Sequence, residues 1–492
     1  MAEQNRPNIV FILTDDHAAH AIRAYGSKVN STPNIDRLAA DGARLDACYC
    51  TNSICSPSRA SILSGTYSHV NGVSTIYSEI DYRVPNFTAC LRDAGYRTAL
   101  FGKWHLGHHK ESLPRSEDFD AWQVFPGQGD YNDPVMITAD GEQTVPGYAT
   151  DIVTDLSLGW LDEQDQQQPF CLMIHHKAPH RPWVPHPKHR DLYQVGSIPE
   201  PDTLFDDYAG KSRAVHEAKM RVGEDLTVTD VKEELPDQLR GDVHRTERTR
   251  WYYQRYMRDY LQTIQSVDDN VGRVLDYLDD HGLSDNTIVV YTSDQGFFLG
   301  DHGWYDKRFI YDESLQMPFL IKWPGQIDAG ARIDEIVTNV DFAATFLQAC
   351  GLDAAEVLPT SQGRSALPVL RGERPSDWPQ SMYYRYWEHD DPAHHAWAHY
   401  GVRTTTHKLV YFYNDGLGVT GASDRVFPPE WEMYDLVADP QELDNVADDP
   451  GYAQVRAELE TELRRLQDVY ADQPYLAGAN SRGGDDLERQ RP

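Results

Sequence analysis

The sequence predicts an α/β fold, in which a large, mostly parallel (mixed) sheet is sandwiched by helices and followed by a smaller C-terminal α+β subdomain with a four-stranded antiparallel sheet. Short apolar runs alternate with stretches of helical period as far as residue 323, as in a parallel sheet with helical crossovers. The pattern changes around residues 370–380, where a glycine and two prolines interrupt it. At 492 residues the chain is also too long for one ordinary hydrophobic core, so we expect at least two subdomains.

Five short apolar runs are predicted to be strands of the large sheet. They are Asn8–Leu13, Arg97–Phe101, Phe170–Ile174, Thr287–Tyr291 and Phe319–Trp323. The first four are each followed directly by acidic, basic or histidine residues. Because ligands bind beyond the carboxyl ends of the strands in open α/β sheets, these four strand ends are expected to share one site.

The helices are predicted from caps and from apolar stripes. Thr32–Asp41 begins with a threonine cap and a proline, which is a good helix start. Arg250–Asp280 is the longest candidate, because apolar residues recur in it at spacings of three and four. A closing helix is indicated by Val455, Leu459, Leu463, Leu466 and Val469.

These patterns divide the chain into three parts. Residues 1–375 are predicted to form the main α/β domain, with a loop-rich, acidic insertion at 184–245 near the rim of the site. Residues 376–470 are predicted to form the smaller subdomain, and the Gly- and charge-rich segment 471–492 is expected to be disordered. The antiparallel strands expected in the subdomain include Ser381–Trp387 and Lys408–Tyr413.

The composition narrows the classes of partner. Lys plus Arg number 45 and Asp plus Glu 77, which gives a formal net charge of −32. That charge repels nucleic acid, anionic membranes and long polyanions, so a short substrate is expected. No run of 18 apolar residues is present, so no transmembrane helix is predicted.

The six cysteines show no disulfide-framework spacing. The polar N-terminus gives way directly to the first strand, which leaves no room for a signal peptide. We therefore expect a cytoplasmic protein, although a secreted or periplasmic chain whose leader had been removed would have the same sequence.

Two of the four strand ends supply oxygen ligands. Asp15 and Asp16 follow the first strand, and Asp294 and Gln295 follow the fourth. Three carboxylates and an amide oxygen suit a hard divalent cation, and Ca²⁺ tolerates such an irregular shell better than Mg²⁺. The Asp15-Asp16 pair alone is also typical of an ordinary turn, but its adjacent carboxylates would repel each other if they were buried without a cation.

The most informative segment runs from Cys55 to Gly65. Pro57 favours extended geometry before it, so the thiol of Cys55 is expected on a turn before a helix that begins near Ser58. Arg59 on the first helical turn would lie beside the thiol, where a helix N-terminus also favours anions. The alternative interpretation is a buried structural cysteine near a helix start.

Cys55-Ser56-Pro57-Ser58-Arg59 resembles the signature of type I sulfatases, which belong to the alkaline phosphatase-like superfamily. The resemblance implies that a formylglycine-generating maturation enzyme oxidises Cys55 to formylglycine, an aldehyde whose hydrate is the nucleophile. It also implies one divalent cation, with Ca²⁺ favoured and Mg²⁺ as the alternative. The implied metal ligands are Asp15, Asp16, Cys55, Asp294 and Gln295. Gln295 departs from the Asn or His that commonly stands at the last position.

The resemblance further implies a set of catalytic side chains. These are Cys55, Arg59, Lys103 and His105 of a GKWHLG-like segment, His180 of an APH segment, and Lys307. Lysines and an arginine neutralise the charge of a sulfate ester, while histidines transfer protons. In the implied mechanism the hydrate attacks sulfur, His180 or Lys307 protonates the departing alcohol, and His105 deprotonates the second hydroxyl to expel sulfate. Histidines at strand ends are also often ordinary loop residues.

The expected substrate is a small sulfated sugar. Val124–Pro134 and Trp431–Leu436 resemble the glucosamine 6-sulfatase group, which implies a 6-O-sulfated N-acetylglucosamine-like substrate. The substrate-binding candidates are Asp130, Tyr131, Asn132, His302, His394, His395 and His399.

Three other functions stay open at this point. They are an arylsulfatase of broad specificity, a phosphonate monoester or phosphodiester hydrolase on the same fold, and a non-catalytic sulfated-sugar binder in which Cys55 is never matured.

Overall fold

The computed structural model describes residues 6–165 and 168–476. In these residues the strands are β1 (Asn8–Thr14), β2 (Ala43–Leu45), β3 (Cys48–Tyr49), β4 (Arg97–Lys103), β5 (Ala121–Phe125), β6 (Val135–Thr138), β7 (Gly141–Thr144), β8 (Phe170–His175), β9 (Thr287–Ser293), β10 (Phe298–Leu299), β11 (Tyr305–Asp306), β12 (Phe319–Lys322), β13 (Ala331–Ile333), β14 (Val337–Thr338), β15 (Ser381–Tyr386), β16 (His399–Thr404), β17 (His407–Phe412) and β18 (Glu430–Asp435). The α-helices are α1 (Pro33–Asp41), α2 (Cys55–Ser64), α3 (Ser68–Asn71), α4 (Phe87–Asp93), α5 (Ala149–Asp162), α6 (Arg213–Glu217), α7 (Val228–Val231), α8 (Arg245–Asp280), α9 (Asp312–Leu315), α10 (Asp341–Ala349), α11 (Ala354–Val357), α12 (Leu367–Leu370) and α13 (Ala453–Val469).

The largest sheet has ten strands in the order β13-β2-β12-β9-β1-β8-β4-β5-β6-β7. Its central strands β9, β1, β8, β4 and β5 are parallel, which confirms the predicted α/β fold. β12 pairs antiparallel with β9, and β6 and β7 are also antiparallel, so the sheet is mixed toward both edges. The fifth apolar run is therefore a strand of this sheet, but its carboxyl end faces away from those of the other four.

Alternate residues of the central strand β1 enter two different cores, as the two-residue period of a strand requires. Ile9, Phe11 and Leu13 belong to a cluster that includes side chains of α10, whereas Val10 and Ile12 belong to one that includes side chains of α5 and α8. All five are fully buried. The sheet is thus covered by helices on both faces, which explains why its parallel strands are apolar throughout.

The smaller subdomain contains a four-stranded antiparallel sheet in the order β15-β16-β17-β18, as predicted. Helix α13 packs on it through Leu459, Leu463 and Leu466, which are buried. Val469, the last residue of the predicted stripe, is instead 59% exposed, because the helix ends there.

Two helix boundaries differ from the prediction. α8 begins at Arg245, five residues earlier than expected, and α2 begins at Cys55 rather than near Ser58. Pro57 lies in the first turn of α2, where a missing N–H breaks no helical hydrogen bond, so the helix starts before it. The nucleophile candidate is therefore part of the helix and not of a preceding turn.

The segment 184–245 is mostly irregular, with α6, α7 and a few single turns of helix. Within the described residues, no helix combines the length and apolarity that a membrane crossing requires. The segment 471–492 was predicted to be disordered, but Asp472 is buried and accepts hydrogen bonds from Tyr383 and Arg385, because it packs against the smaller sheet. Residues 477–492 lie outside the described residues.

Candidate active site

Three strand ends of the large sheet converge with the start of α2. Asp15 and Asp16 follow β1, Lys103 ends β4, and Asp294 follows β9. Asp16 donates its N–H to Asp294 Oδ1 across 3.3 Å, and Lys103 Nζ donates to Asp15 Oδ2. The parallel register of β4, β8, β1 and β9 therefore brings these predicted side chains together at one edge.

Cys55 is the first residue of α2 and is only 1% exposed. Its Sγ lies 3.4 Å from Asp15 Oδ1 and 4.0 Å from Gln295 Nε2. Burial, reinforced by the negative charge of Asp15, raises the pKa of the thiol well above its usual value. The thiol thus stays protonated near neutral pH, and a protonated thiol is a poor nucleophile.

Arg59, one turn after Cys55, fixes α2 against the sheet. Its Nε donates to Asp294 Oδ2 at 2.9 Å and its Nη1 donates to the Lys103 carbonyl at 2.8 Å. Its Nη2 is buried and has no partner among the described residues. Arg59 therefore keeps a free guanidinium donor in a buried site that an anion can satisfy.

The three carboxylates form a compact oxygen cluster. Asp15, Asp16 and Asp294 each place an oxygen within 4.8 Å of the others, and all three are buried. A second such group combines Asp15, Cys55 and His180. Asp16 has a positive φ of 67°, a conformation that aspartate tolerates better than most residues, and its backbone N–H points to Asp294 Oδ1.

Gln295 completes this cluster. Its Nε2 donates to Asp16 Oδ1 at 2.5 Å, while its Oε1 is buried without a donor among the described residues. A buried carbonyl oxygen that lacks a donor fits a cation ligand, because its desolvation is otherwise uncompensated. The residues therefore fit a hard divalent cation held by Asp15, Asp16, Asp294 and the Gln295 amide oxygen.

Electrostatics support the same conclusion. Burial raises the pKa of Asp16 to about 7 and that of Asp294 to about 6, and neighbouring carboxylates add to both shifts. Burial acts on Asp15 in the same direction, but the charges of Lys103, His180 and Arg59 hold its pKa well below the usual value. Three ionised carboxylates in one buried site are costly, and a divalent cation removes that cost.

Two buried lysines lie on opposite sides of the carboxylates. Lys103 Nζ donates to Asp15 and to Gln128 Oε1, and Lys307 Nζ donates to Asp16 Oδ2 at 2.8 Å. Burial lowers the pKa of Lys307, but Asp16 and Asp306 outweigh it, so the pKa lies well above the usual value. Both lysines can therefore present positive charge to a bound anion.

His105 is linked to Lys103 through Gln128, a residue that was not predicted from the sequence. Gln128 Nε2 lies 3.3 Å from His105 Nε2, and His105 Nδ1 lies 3.3 Å from Ser56 Oγ. Burial, followed by the charge of Lys103, lowers the pKa of His105 well below its usual value. His105 is therefore neutral and can accept a proton. The role of Gln128 could not be recognised from the sequence, because a single glutamine in a glycine-rich loop is typical of an ordinary turn.

His180 contacts the carboxylate of Asp16. Its Nε2 is 3.7 Å from Asp16 Oδ2, and its Nδ1 donates to the Arg181 carbonyl at 2.5 Å. Burial lowers its pKa well below the usual value. The hydroxyl of Tyr131 donates to the His180 carbonyl at 2.7 Å, so Tyr131 holds the backbone of His180 in place.

A buried polar network continues from Lys307, and most of its residues were not predicted from the sequence. Arg308 has a φ of 98° and donates to Glu388 Oε1 at 3.1 Å. His394 Nε2 lies 3.4 Å from Asp306 Oδ2 and its Nδ1 lies 3.0 Å from Asp391 Oδ1. The smaller subdomain therefore reaches the residues on either side of Lys307. Sequence adjacency to Lys307 was the only signal for Asp306 and Arg308.

Other substrate-binding candidates are placed differently. Asp130 and Asn132 are exposed, and Tyr131 is buried against Tyr148 rather than open to a ligand. His395 is partly exposed and its Nδ1 lies 2.9 Å from Asp390 Oδ1, beside an open cleft.

Two of the histidine assignments are corrected by the structure. His399 is fully buried on β16 between Tyr384, Tyr386 and Phe412, and it cannot line a sugar subsite. His302 is also fully buried, with Nδ1 2.9 Å from Asp206 Oδ2 and its ring packed on aromatic neighbours. His399 is enclosed by side chains of the neighbouring strands β15 and β17, and His302 by Phe298, Trp304 and Tyr311.

Comparison with known proteins identifies the family. A model of the sulfatase family matches residues 7–352, and a model described as the C-terminal part of N-sulphoglucosamine sulphohydrolase matches residues 300–469. Over 96% of its length the chain is 42% identical to the N-acetylglucosamine-6-O-sulfatase of Bacteroides thetaiotaomicron, and it covers 88% of that protein.

Solved structures give the same result. A structure described as a complex with its substrate D-glucosamine-2-N,6-O-disulfate superposes with a TM-score of 0.86 at 40% identity, covering 95% of this chain and 98% of that chain. The phosphonate monoester hydrolase of Agrobacterium radiobacter superposes with a TM-score of 0.73, covering 94% of this chain and 96% of that chain. Its identity of 22% shows a shared fold alone.

Proposed function

The chain belongs to the sulfatase family and is a sulfuric ester hydrolase, and we propose that its substrate is a small sugar carrying a 6-O-sulfate on an N-acetylglucosamine-like residue. The observation that carries the chemistry is the buried group of Cys55, Asp15, Asp16 and Asp294 between Lys103 and Lys307. The observation that carries the substrate is the 42% identity to an N-acetylglucosamine-6-O-sulfatase over nearly the whole chain.

Two groups beyond the encoded side chains belong to this proposal. Cys55 oxidised to formylglycine by a maturation enzyme would supply, as its hydrate, the hydroxyl that attacks sulfur. A divalent cation held by Asp15, Asp16, Asp294 and Gln295 would supply positive charge beside that hydroxyl. The oxygen-only side chains and the unpartnered Gln295 Oε1 favour Ca²⁺ over softer metals.

The cationic side chains bind the sulfate group and neutralise its oxygens. Lys103 and Lys307 lie on either side of the carboxylates, and Arg59 keeps Nη2 free in the same buried site. Charge-assisted hydrogen bonds of this kind are strongest where water is excluded. A bound sulfate ester would accept hydrogen bonds that Lys103 and Lys307 now donate to Asp15 and Asp16.

His180 is placed to protonate the departing sugar oxygen. Because Nδ1 donates to the Arg181 carbonyl, Nε2 is the atom that faces the site. Burial keeps His180 neutral without a ligand, and the negative charge of a bound sulfate ester favours its protonated form. Lys307 is held charged by Asp16 and serves better as an anion binder.

His105 is placed to accept the proton that is released when sulfate is expelled. Lys103 can only donate, so Gln128 Oε1 faces Lys103 and Gln128 Nε2 donates toward His105 Nε2. The hydrogen of the imidazole is therefore on Nδ1, toward Ser56. Displacement of the Gln128 amide by ligand would free Nε2 as the base.

The sugar itself would be recognised next to Lys307. Asp306, Arg308 and His394 form a polar network in which Arg308 Nε and Asp391 Oδ2 make no hydrogen bond among the described residues, although they lie 3.5 Å from Asp306 Oδ1 and 3.9 Å from Arg308 Nη1. Unsatisfied donors and acceptors side by side suit the hydroxyl groups of a sugar. This network contains residues of both subdomains, so both would contact the substrate.

The test is a substrate panel. The protein is produced together with a formylglycine-generating enzyme, and sulfate release is measured from N-acetylglucosamine 6-sulfate, other monosulfated sugars, an aryl sulfate and an aryl phosphonate. We expect the highest kcat/KM for the 6-sulfated hexosamine. Activity confined to the aryl sulfate, or a preference for the phosphonate, would contradict the proposed substrate.

A further inference from the structure

An open cleft lies beside the proposed site and has no part in the chemistry described above. Its volume is about 530 Å³, within the usual range for a small-molecule site. The residues that line it are Tyr77, Asp390, Pro392, His395, Gly421, Ala422, Ser423 and Arg425. It therefore combines one aromatic ring with two basic side chains.

Residues of the cleft wall are covalently adjacent to residues of the substrate-binding network. Glu388, which accepts from Arg308, also accepts the N–H of Ile76, the residue before Tyr77. His395 follows His394, which contacts Asp306 next to Lys307. The walls of the cleft are thus covalent neighbours of residues that reach the sulfate-binding lysine.

Tyr77 is held as a fixed, exposed platform. Its ring is 58% exposed, yet it packs so closely on Gly421 that a Cβ there would lie 2.3 Å from a ring carbon. Thr75 Oγ1 donates to the Thr420 carbonyl at 2.7 Å and accepts the N–H of Tyr77, which fixes the turn. An aromatic ring held in place and open to solvent offers an apolar face on which a sugar ring can stack.

The opposite part of the cleft carries two basic side chains around one carboxylate. The buried carboxylate of Asp390 accepts from Arg425 Nε at 2.6 Å and pairs with His395 Nδ1 at 2.9 Å. Arg425 is 57% exposed, so donors that Asp390 does not use face solvent. Two basic groups are therefore positioned by one carboxylate in a chain whose net charge is −32.

From this geometry we propose that the cleft is a second sugar subsite, which binds a neighbouring residue of the substrate that carries an anionic substituent. The inference rests on the proposed function, because the first sugar is the one whose 6-O-sulfate is hydrolysed. Tyr77 stacks on the second ring, and Arg425 with His395 binds its sulfate or carboxylate group. The protein is then selective for anionic disaccharides over the monosaccharide.

The test compares substrates in the matured enzyme. kcat/KM is measured for N-acetylglucosamine 6-sulfate alone and linked, through its anomeric carbon or through O4, to a neutral hexose, a uronic acid or a sulfated sugar. We expect at least one anionic disaccharide to exceed the neutral one about tenfold, the effect of one charge-assisted hydrogen bond. Comparison of the uronic acid with the sulfated sugar identifies the anionic group.

Variants assign the effect to the cleft. Arg425→Gln should reduce the preference for the anionic over the neutral disaccharide to near one. Tyr77→Ala should lower kcat/KM for both disaccharides relative to the monosaccharide, because the stacking contact is lost whatever the charge of the second sugar. Arg374→Gln is the matched control, because Arg374 is equally exposed at 57% but pairs with Glu335 away from the cleft. If the loss of Arg425 disturbs the loop around Asp390, the Tyr77 variant still tests whether the cleft binds the second sugar.

Two results would overturn the proposal, and they can be told apart. An active wild-type enzyme that treats neutral and anionic disaccharides alike would exclude the second subsite alone. The same conclusion would follow if Arg425→Gln kept the anionic preference and Tyr77→Ala left both disaccharides unchanged relative to the monosaccharide. A matured wild-type enzyme that releases no 6-O-sulfate from any of these sugars would overturn the proposed function and this inference with it.

Discussion

Arg59 Nε donates a hydrogen bond to Asp294 Oδ2 over 2.9 Å, and neither side chain is more than 2% exposed. Arg59 lies on α2, four residues after Cys55, and Asp294 follows β9. One buried ion pair therefore joins the helix that carries the nucleophile to the carboxylates that fit the cation. The position of Cys55 relative to the cation site depends on this pair.

Replacement of Arg59 should affect both stability and activity. Arg59→Leu leaves Asp294 buried without its partner, which typically costs about 3 kcal/mol or more. Arg59→Lys keeps the charge but cannot make the Nε and Nη1 bonds together, so it should recover only part of the loss. Urea unfolding of metal-free protein measures both variants. A change of less than about 0.5 kcal/mol for Arg59→Leu would contradict the structural role of this pair.

Removal of the metal should be detectable by thermal unfolding. Chelator-treated protein should unfold at a lower temperature than protein with added Ca²⁺, because a ligand that binds the native state stabilises it. Gln295→Leu removes the free Oε1 and should weaken Ca²⁺ binding by about tenfold or more. Gln295→Asn keeps an amide oxygen and is the matched control. Equal Ca²⁺ responses in wild type and Gln295→Leu would exclude Gln295 as a ligand.

Gln128 should control the pH dependence of turnover through His105. In Gln128→Glu a carboxylate replaces the amide beside His105 and raises its pKa. Because His105 must be neutral to accept a proton, the acidic limb of the kcat profile should move to higher pH. Gln128→Leu should lower kcat without that displacement. The role of Gln128 would be refuted if both variants kept the wild-type pH profile.

His399 should make the protein sensitive to acid. Burial lowers its pKa to about 3 in the folded state, against about 6.5 in the unfolded chain. Its contribution to stability is therefore complete above pH 6.5 and is lost as the pH falls toward 3. At pH 5 this loss is about 2 kcal/mol.

The control for this prediction is His399→Phe, which keeps an aromatic ring against Tyr384 and Phe412 but cannot bind a proton. The variant loses the bond to the Trp397 carbonyl at every pH, so its stability should be lower but should change less between pH 7.5 and pH 5. Parallel pH dependences of the unfolding free energy in the two proteins would show that His399 does not titrate as described.

The strands and their common edge could be predicted because strands that are buried on both faces are apolar throughout, and such runs can be recognised in the sequence. Apolar runs such as Asn8–Leu13 stop where the sheet ends, and Asp15 and Asp16 stand at that point. Parallel strands must then place such ends together. The direction of β12 could not be predicted, because an antiparallel strand covered on both faces is as apolar as a parallel one.

The second part of the site depends on contacts between distant segments, which no local pattern shows. His399 and His395 look alike in sequence, yet one is enclosed by Phe412 and Tyr384 and the other lines a cleft. Gln128 acquires its importance only because Lys103 and His105 flank it in space.

The most direct test of the central claim correlates the chemical state of Cys55 with turnover. Preparations matured to different extents are assayed for sulfate release from N-acetylglucosamine 6-sulfate, and peptide mass spectrometry gives the fraction of Cys55 converted to formylglycine. We predict that specific activity rises in proportion to that fraction, and that Cys55→Ala folds normally but is inactive. Full activity in protein whose Cys55 is entirely unmodified would contradict this account.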